Sequence, residues 1–223
     1  MDKNLVDNYK KMKFTIKSEV DKFRESIYQN VENTLNNLDL NKDKVFSINV
    51  PTGTGKTLTS LNTALKLRDK LGLNNRIIYT LPFTSVIDQN FSVFEEVLGD
   101  LANDSSVLLK HHYLTRKEYK TNEAEVYEYD ISKYLIENWD SEIVVTTFVQ
   151  MINSIFSNKN KNLKKYHNLA NSIIILDEVQ SIPYKYWKLV NNTLKKMSET
   201  LNCYIILVTA TMPLIFDESK NEI

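Results

Sequence analysis

Cysteine is nearly missing from this chain of 223 residues, and its scarcity closes off two classes of structure. The one cysteine, Cys203, stands beside an apolar run, so neither an intrachain disulfide nor a cysteine-rich zinc site can form; its expected role is core packing in a reducing compartment. Long apolar runs are missing as well. The longest, around Ile173–Leu176 and Tyr204–Val208, are strand-sized and far short of the ~18 residues that span a bilayer. The polar start has no signal-peptide core, so the cytoplasm is the expected compartment, with no membrane partner. An excess of charge is lacking too: 28 Lys and Arg balance 28 Asp and Glu. A nucleic-acid partner must therefore be argued from a local basic or amide-lined track. Glycine and proline are scarce, four of each, beside abundant Asn and Lys, a bias of source composition rather than of chemistry. Histidine occurs at three positions, and without suitably spaced cysteines the pair His111-His112 reads as structural or solvent-facing rather than metal-binding.

What the chain does have is a phosphate cradle. Ser47 to Thr57 reads SINVPTGTGKT: a short apolar strand, a glycine turn, and a lysine-threonine pair opening a helix. Thr52, Gly53, Thr54 and Gly55 form the turn, whose two glycines let successive backbone N–H groups point inward, and the helix begun at Lys56 and Thr57 adds its positive end. In this P-loop reading Lys56 reaches the β- and γ-phosphates of ATP and the Thr57 hydroxyl sits on Mg²⁺. The pattern G-x-x-x-x-G-K-[ST] is met except at its first position, where Val50 replaces glycine.

Along the chain, residues 1–22 form a polar N-terminal extension with one or two short helical pieces. Residues 23–216 form the main domain and 217–223 a C-terminal stub. Apolar residues at Phe23, Ile27, Val31, Leu35 and Leu38 recur at helical spacing up to Leu40. Gln29 on that helix is either an adenine-reading group or a solvated polar residue. After the P-loop, Leu58–Leu71 reads as a helix stopped by Gly72, and Arg76–Leu81 as a strand ended by Pro82. Phe83, Thr84 and Ser85 open a helix through Leu98, with Thr84 or Ser85 as its cap. Val107–Lys110 is a strand, and the acidic, aromatic stretch 117–140 is partly helical. Glu142–Thr146 is a strand whose end, Thr146-Thr147, caps the helix Phe148–Phe156. A basic loop follows at 158–167 with Lys159, Lys161, Lys164 and Lys165. It is either a solvated loop or a phosphodiester track. Ser172–Leu176 is a wholly apolar strand, Pro183–Thr200 a helix, and Tyr204–Val208 the last strand. Strand and helix alternate, and the central strands are apolar throughout, so the expected fold is α/β: a RecA-like P-loop NTPase domain with a parallel sheet covered by helices on both faces.

In such sheets ligands bind at the carboxyl ends of the strands. The P-loop strand delivers Lys56 and Thr57, and the strand ending at Leu176 is expected to deliver Asp177 and Glu178 beside it. Asp177 is then suited to hold Mg²⁺ and Glu178 to deprotonate an attacking water, whereas the alternative is a plain helix cap. Gln180 and the turn Thr209-Ala210-Thr211 carry groups that can hydrogen-bond one another near the γ-phosphate and pass on its loss. Pro82, Phe83, Thr84, Ser85, Thr146, Thr147 and Gln150 stand where strands give way to helices. Hydroxyls and amides there can hold the phosphates of a single strand without charge, or simply cap helices.

Strung together, PTGTGKT, LPFTSVIDQN, VTTFVQ, LDEVQ and VTATMP resemble motifs I, Ia, Ib, II and III of superfamily 2 helicases, in order and spacing. Helicase-type P-loops often relax the position held here by Val50. The stretches HHY, NWDSEIVVTTFVQMINSIFSNK and HNLANSIIILDEVQSIP are similar to the CRISPR-associated helicase of type I interference systems, over about Phe23 to Pro213. The resemblance implies ATP and Mg²⁺ as cofactors and ATP-driven, 3′ to 5′ translocation on single-stranded DNA opened by an RNA-guided surveillance complex. It also implies a second RecA-like lobe that brings an arginine finger, and an HD nuclease; neither the second-lobe motifs nor a His-Asp dipeptide occurs here, so the chain reads as the first helicase lobe. The alternatives are the lobe of a DEAD/DEAH-like RNA helicase or restriction-type translocase, and a non-catalytic nucleotide-dependent binding module. A P-loop kinase is disfavoured by the Asp-Glu pair and the Thr-Ala-Thr turn. Lys56→Ala is expected to abolish ATP binding, and Glu178→Gln to preserve binding while removing turnover; calorimetric titration and a phosphate-release assay check the two halves separately.

Overall fold

The computed structural model describes residues 1–112 and 129–211. Tyr113, much of the stretch 117–140, Met212, Pro213 and the expected stub 217–223 lie outside the described residues. Six strands form one sheet: β1 (Val45–Asn49), β2 (Ile77–Leu81), β3 (Leu108–His111), β4 (Ile143–Thr147), β5 (Ile173–Asp177) and β6 (Tyr204–Thr209). Their order across the sheet is β1-β6-β5-β2-β4-β3, and every pairing is parallel. The α/β expectation is met.

The strands are apolar throughout because both faces are covered. Successive side chains of a strand point to opposite faces, and here the two sets enter two separate cores. Ile77, Tyr79, Ile143, Val145, Ile173, Ile175, Ile206 and Val208 pack with α1 (Leu5–Lys13), α2 (Glu19–Asn37), α3 (Lys56–Leu71) and α4 (Ile87–Leu98). Ile78, Val144, Ile174, Leu176, Ile205 and Leu207 pack on the other face with α5 (Tyr129–Asn138), α6 (Phe148–Phe156) and α8 (Trp187–Thr200); a single short turn, α7 (Asn160–Leu163), lies between α6 and β5. Each fully buried isoleucine stabilises the fold by roughly 1.5–3 kcal/mol, so three in succession on β5 fix that strand at the centre of the sheet. Cys203 sits in the second core, its thiol donating to Leu169 O at 3.0 Å, and burial pushes its pKa up. Among the described residues no helix is long and apolar enough to cross a membrane.

Parallel pairing puts every strand's carboxyl end on one edge. β5 does not pair with the P-loop strand, because β6 comes between them, yet its end still brings Glu178 within 2.8 Å of Lys56. Two helix starts differ as well. Thr84–Val86 is a 3₁₀ turn and α4 begins only at Ile87, with no side-chain cap from Thr84 or Ser85, because the turn satisfies its own backbone by Val86 N donating to Phe83 O. Likewise Tyr184–Tyr186 is 3₁₀ and α8 starts at Trp187, whose indole donates to Ile182 O at 2.7 Å.

The boundary expected at Phe23 falls inside α2, which starts at Glu19 behind a capping box of Ser18 and Asp21. α1 is equally part of the body. Val6 is fully buried, and the Asp7 carboxylate accepts from Tyr28 Oη on α2 at 2.7 Å and pairs with Lys66 Nζ on α3 at 2.9 Å. Burial alone pushes the Asp7 carboxyl up, but hydrogen bonds from Lys66 and Tyr28 outweigh it and hold the group below the ordinary carboxylate range. The unfolded chain then binds that proton more readily. The tie therefore contributes stability above the unfolded carboxylate range and loses it as pH falls through the native value. In Asp7→Asn the decline of the urea midpoint between neutrality and about pH 3 is expected to be shallower than in the parent chain; an unchanged decline would show that the tie adds nothing.

Candidate functional site

The glycine turn between β1 and α3 owes its shape to two left-handed residues, Gly53 at φ +77° and Gly55 at φ +86°. A Cβ on either would meet nothing within 4 Å, so the requirement is one of backbone conformation rather than of space. Thr54 Oγ1 donates to Pro51 O at 2.7 Å and closes the loop from inside. Val50, where the pattern expects glycine, is buried and its N–H donates to Thr209 O at 3.1 Å, extending the ladder to β6. That position is filled by sheet rather than turn, which is why a side chain is tolerated.

Lys56, 9% exposed, is the electrostatic centre of the site. Its Nζ lies 2.8 Å from Glu178 Oε1, an ion pair, and has no hydrogen-bond partner among the described residues. A buried cation at the start of a helix, next to a turn with two left-handed glycines, fits a phosphate group. Glu178 holds a left-handed conformation, φ +55°, uncommon for a residue with a side chain. Its other oxygen accepts from Gln180 Nε2. Thr209 Oγ1 then donates to Gln180 Oε1 at 2.7 Å and accepts from Thr211 N at 3.1 Å. Ala210 spans that turn. The residues from Lys56 to Thr211 form one connected chain across the ends of β1, β5 and β6.

Asp177 closes β5 with both oxygens engaged. Oδ2 accepts from Tyr79 Oη at 2.5 Å and Oδ1 from Glu178 N at 2.9 Å. Burial pushes the carboxyl pKa up; the Tyr79 bond lowers it in part, and the neighbouring Glu178 charge raises it further. Burial, then the Asp177 charge, pushes the Tyr79 phenol well above its ordinary value, so Tyr79 stays the donor. Thr57 Oγ1 donates to Asn90 Oδ1 at 2.7 Å. The Thr57 hydroxyl and the Asp177 carboxylate are oxygen donors that suit Mg²⁺, and the buried ammonium near them suits the charge of a triphosphate.

Beside the cradle opens a cavity of about 320 Å³, lined among others by Phe14, Ile16, Arg24 and Tyr28 and by Gly53 and Leu58. Arg24 Nε donates to Gly53 O at 2.9 Å and ties α2 to the P-loop. Gln29 bonds instead to Glu25 and is not among the lining residues. The cavity wall was the part missed from sequence. Its one signal was Phe14 and Ile16 standing in a polar stretch, and both are exposed on the protein surface.

Adjacent strands β2 and β4 bring Pro82–Ser85 and Thr146–Gln150 together, Leu81 pairing with Thr147. Phe83 and Ser85 are exposed, Pro82, Thr84 and Gln150 half-buried. Thr147 caps α6 by accepting from Gln150 N at 3.2 Å. Thr146 is fully buried and donates to His111 O at 2.7 Å, so its hydroxyl links strands and is no surface group. The basic loop leads into the amino end of β5, on the opposite edge from the cradle. Within it Lys159 and Lys164 are exposed, as expected of a solvated run, Lys164 lying 3.7 Å from Glu137, whereas Lys165 is fully buried over the Trp139 ring. His111 packs edge-on to Trp139 at 5.9 Å, burial lowers the His112 pKa, and the described residues contain no group of three or more His, Cys, Asp or Glu that could hold a metal ion.

Comparison with known proteins is consistent with the resemblance read from the motifs. Residues 19–214 match the family described as "Type III restriction enzyme, res subunit". The chain is 32% identical over 186 residues, 78% of its length, to the CRISPR-associated nuclease/helicase Cas3 of Haloferax volcanii, and spans about a fifth of that relative, 20%. Among solved structures, T. fusca Cas3-ATP is similar at a TM-score of 0.65 and 20% identity, over 83% of this chain and 21% of that one. The DUF1998 helicase MrfA bound to DNA is similar at 0.58 and 17%, over 100% and 28%.

The Lys56–Glu178 geometry carries a stability consequence. Glu178→Gln strips the buried ammonium of its counter-charge, so the nucleotide-free chain is expected to lose on the order of 1–3 kcal/mol. Added ATP should narrow that deficit, as thermal melts with and without nucleotide will read; equal melting of both chains without nucleotide would remove the ion pair from the account.

Proposed function

The chain belongs to the type III restriction enzyme res subunit family, and from that membership we propose that it is the nucleotide-binding lobe of an ATP-driven translocase on single-stranded DNA. One observation carries the reading: a buried ammonium with no hydrogen-bond partner among the described residues stands beside a glycine turn, next to an Asp-Glu pair at the end of a central strand. In this reading Lys56 binds the β- and γ-phosphates, and Thr57 with Asp177 holds Mg²⁺. The backbone from Thr52 to Gly55 cradles the phosphates, and the cavity beside it takes the nucleobase, with Arg24 and Phe14 at its wall rather than Gln29. Bound Mg²⁺ supplies charge neutralisation at the transferred phosphoryl group.

Glu178 accepts the proton of the attacking water. Before that it must leave Lys56, and a triphosphate supplies the anion that releases it. Gln180, Thr209, Ala210 and Thr211 feel the change, since Gln180 bonds both Glu178 and Thr209. Pro82–Ser85, Thr147 and Gln150 form the face for single-stranded DNA, where amides and hydroxyls stand in for positive charge. The likeness to Cas3 supports a role in CRISPR antiviral defence in the cytoplasm, together with a second RecA-like lobe, an HD nuclease and an RNA-guided surveillance complex. The family description and the likeness to MrfA along the whole chain favour, as second reading, a DNA translocase outside that system.

ATP hydrolysis by the 223-residue chain, with single-stranded DNA, with RNA and with neither, tests the proposal, using Glu178→Gln as background. ATP binding with turnover far below that of complete helicases is the expected result, because a second lobe brings the arginine finger in this family. Fast turnover by the isolated monomer would sink the half-site reading, stimulation by RNA alone would turn the assignment to RNA, and binding without any turnover even beside a second lobe would leave a nucleotide-dependent binding module.

A further inference from the structure

The proton of the Thr57 hydroxyl is already committed. Thr57 Oγ1, on the first turn of α3, donates to Asn90 Oδ1 at 2.7 Å. Asn90 lies on the first turn of α4 and cannot reverse its amide without loss, because Nδ2 donates to Val86 O at 2.9 Å. Of the two ends of that amide only Oδ1 accepts. A hydroxyl whose proton is held on one side keeps its lone pairs for the other, which is what a hard cation requires of it. The second oxygen ligand expected in this site is held in the same manner: Tyr79 Oη and Glu178 N both donate to the Asp177 carboxylate. Both candidate ligands are thus oriented from behind by neutral groups.

We propose that Asn90 is a positioning residue for the divalent cation: by accepting the Thr57 proton it fixes the hydroxyl rotamer whose lone pair ligates the Mg²⁺ of a bound nucleoside triphosphate. This rests on the nucleotide-site reading above. Asn90 touches neither nucleotide nor metal in this role and acts only through Thr57. Partners of this kind set metal affinity by roughly 10–100-fold when removed.

The test is ATP binding by the full chain, measured calorimetrically over a series of Mg²⁺ concentrations with an EDTA arm. The readout is the Mg²⁺ concentration that gives half of the cation-dependent gain in affinity. Asn90→Leu is expected to raise it by about tenfold or more while leaving affinity in EDTA within about twofold. Asn90→Asp, which keeps an acceptor oxygen, should stay at or below the parent value. Thr57→Val should lose the same dependence, and adding Asn90→Leu to it should cost nothing further. Should Asn90→Leu fail to fold, Asn90→Ala carries the same expectation. An unchanged Mg²⁺ midpoint would overturn the inference and hand the Thr57 proton to another acceptor such as Asp177. Equal weakening with and without Mg²⁺ would also overturn it, reducing Asn90 to a structural tie. If the parent chain binds no ATP at all, the nucleotide-site reading falls and takes this one with it.

Discussion

A lysine ammonium in the protein interior needs a negative partner, and much of this molecule's active edge follows from that need. Lys56 reaches inward from the first turn of α3, where solvation is nearly gone, and the anion it meets is Glu178. Taking two charges out of water costs several kcal/mol unless their attraction and further hydrogen bonds offset it. Here the offset is incomplete, since the ammonium has no hydrogen-bond partner among the described residues. Glu178 is thus a provisional partner, standing where a phosphate oxygen would serve better.

The sheet makes that meeting possible. A parallel arrangement collects all strand ends on one edge, and the order β1-β6-β5 sets the Thr209 turn between the cradle and the acidic pair. The hydrogen-bonded path from Glu178 through Gln180 to Thr209 therefore crosses the top of a single strand. β6 is hydrogen-bonded to both its neighbours, so its end adjoins the cradle on one side and the acidic pair on the other.

Much of this was legible in the sequence, for physical reasons. Strands buried on both faces must be apolar at every position, so Ile173-Ile174-Ile175-Leu176 announces itself, as does a lysine-threonine pair after two glycines in a chain with four. What escaped depends on which elements meet. Nothing near Lys165 says that its amine will lie over Trp139, and Gln29 is a better-looking base reader than Arg24 until α2 is seen to turn Arg24 towards Gly53. Thr84 and Ser85 look like caps because their chemistry suits one; the chain closes that corner with a 3₁₀ turn instead. Strand order was invisible for the same reason, since motif spacing along a chain carries no information on which strand inserts between two others.

The wall of the cavity beside the P-loop comes from residues that precede the first recognisable motif. Phe14 and Ile16 stand in the link between α1 and α2, held there by buried Val6 on one side and the Ser18 cap on the other. A version trimmed to begin at Phe23 would retain the phosphate cradle, the acidic pair and Arg24 and Tyr28 but lose Phe14 and Ile16 from that wall. If the cavity takes the nucleobase, as proposed, such a protein would hold phosphates with a weaker grip on the base, and inorganic tripolyphosphate would compete better with ATP. On the proposed reading, the selectivity of this lobe for its fuel rests in part on the segment that looks most dispensable.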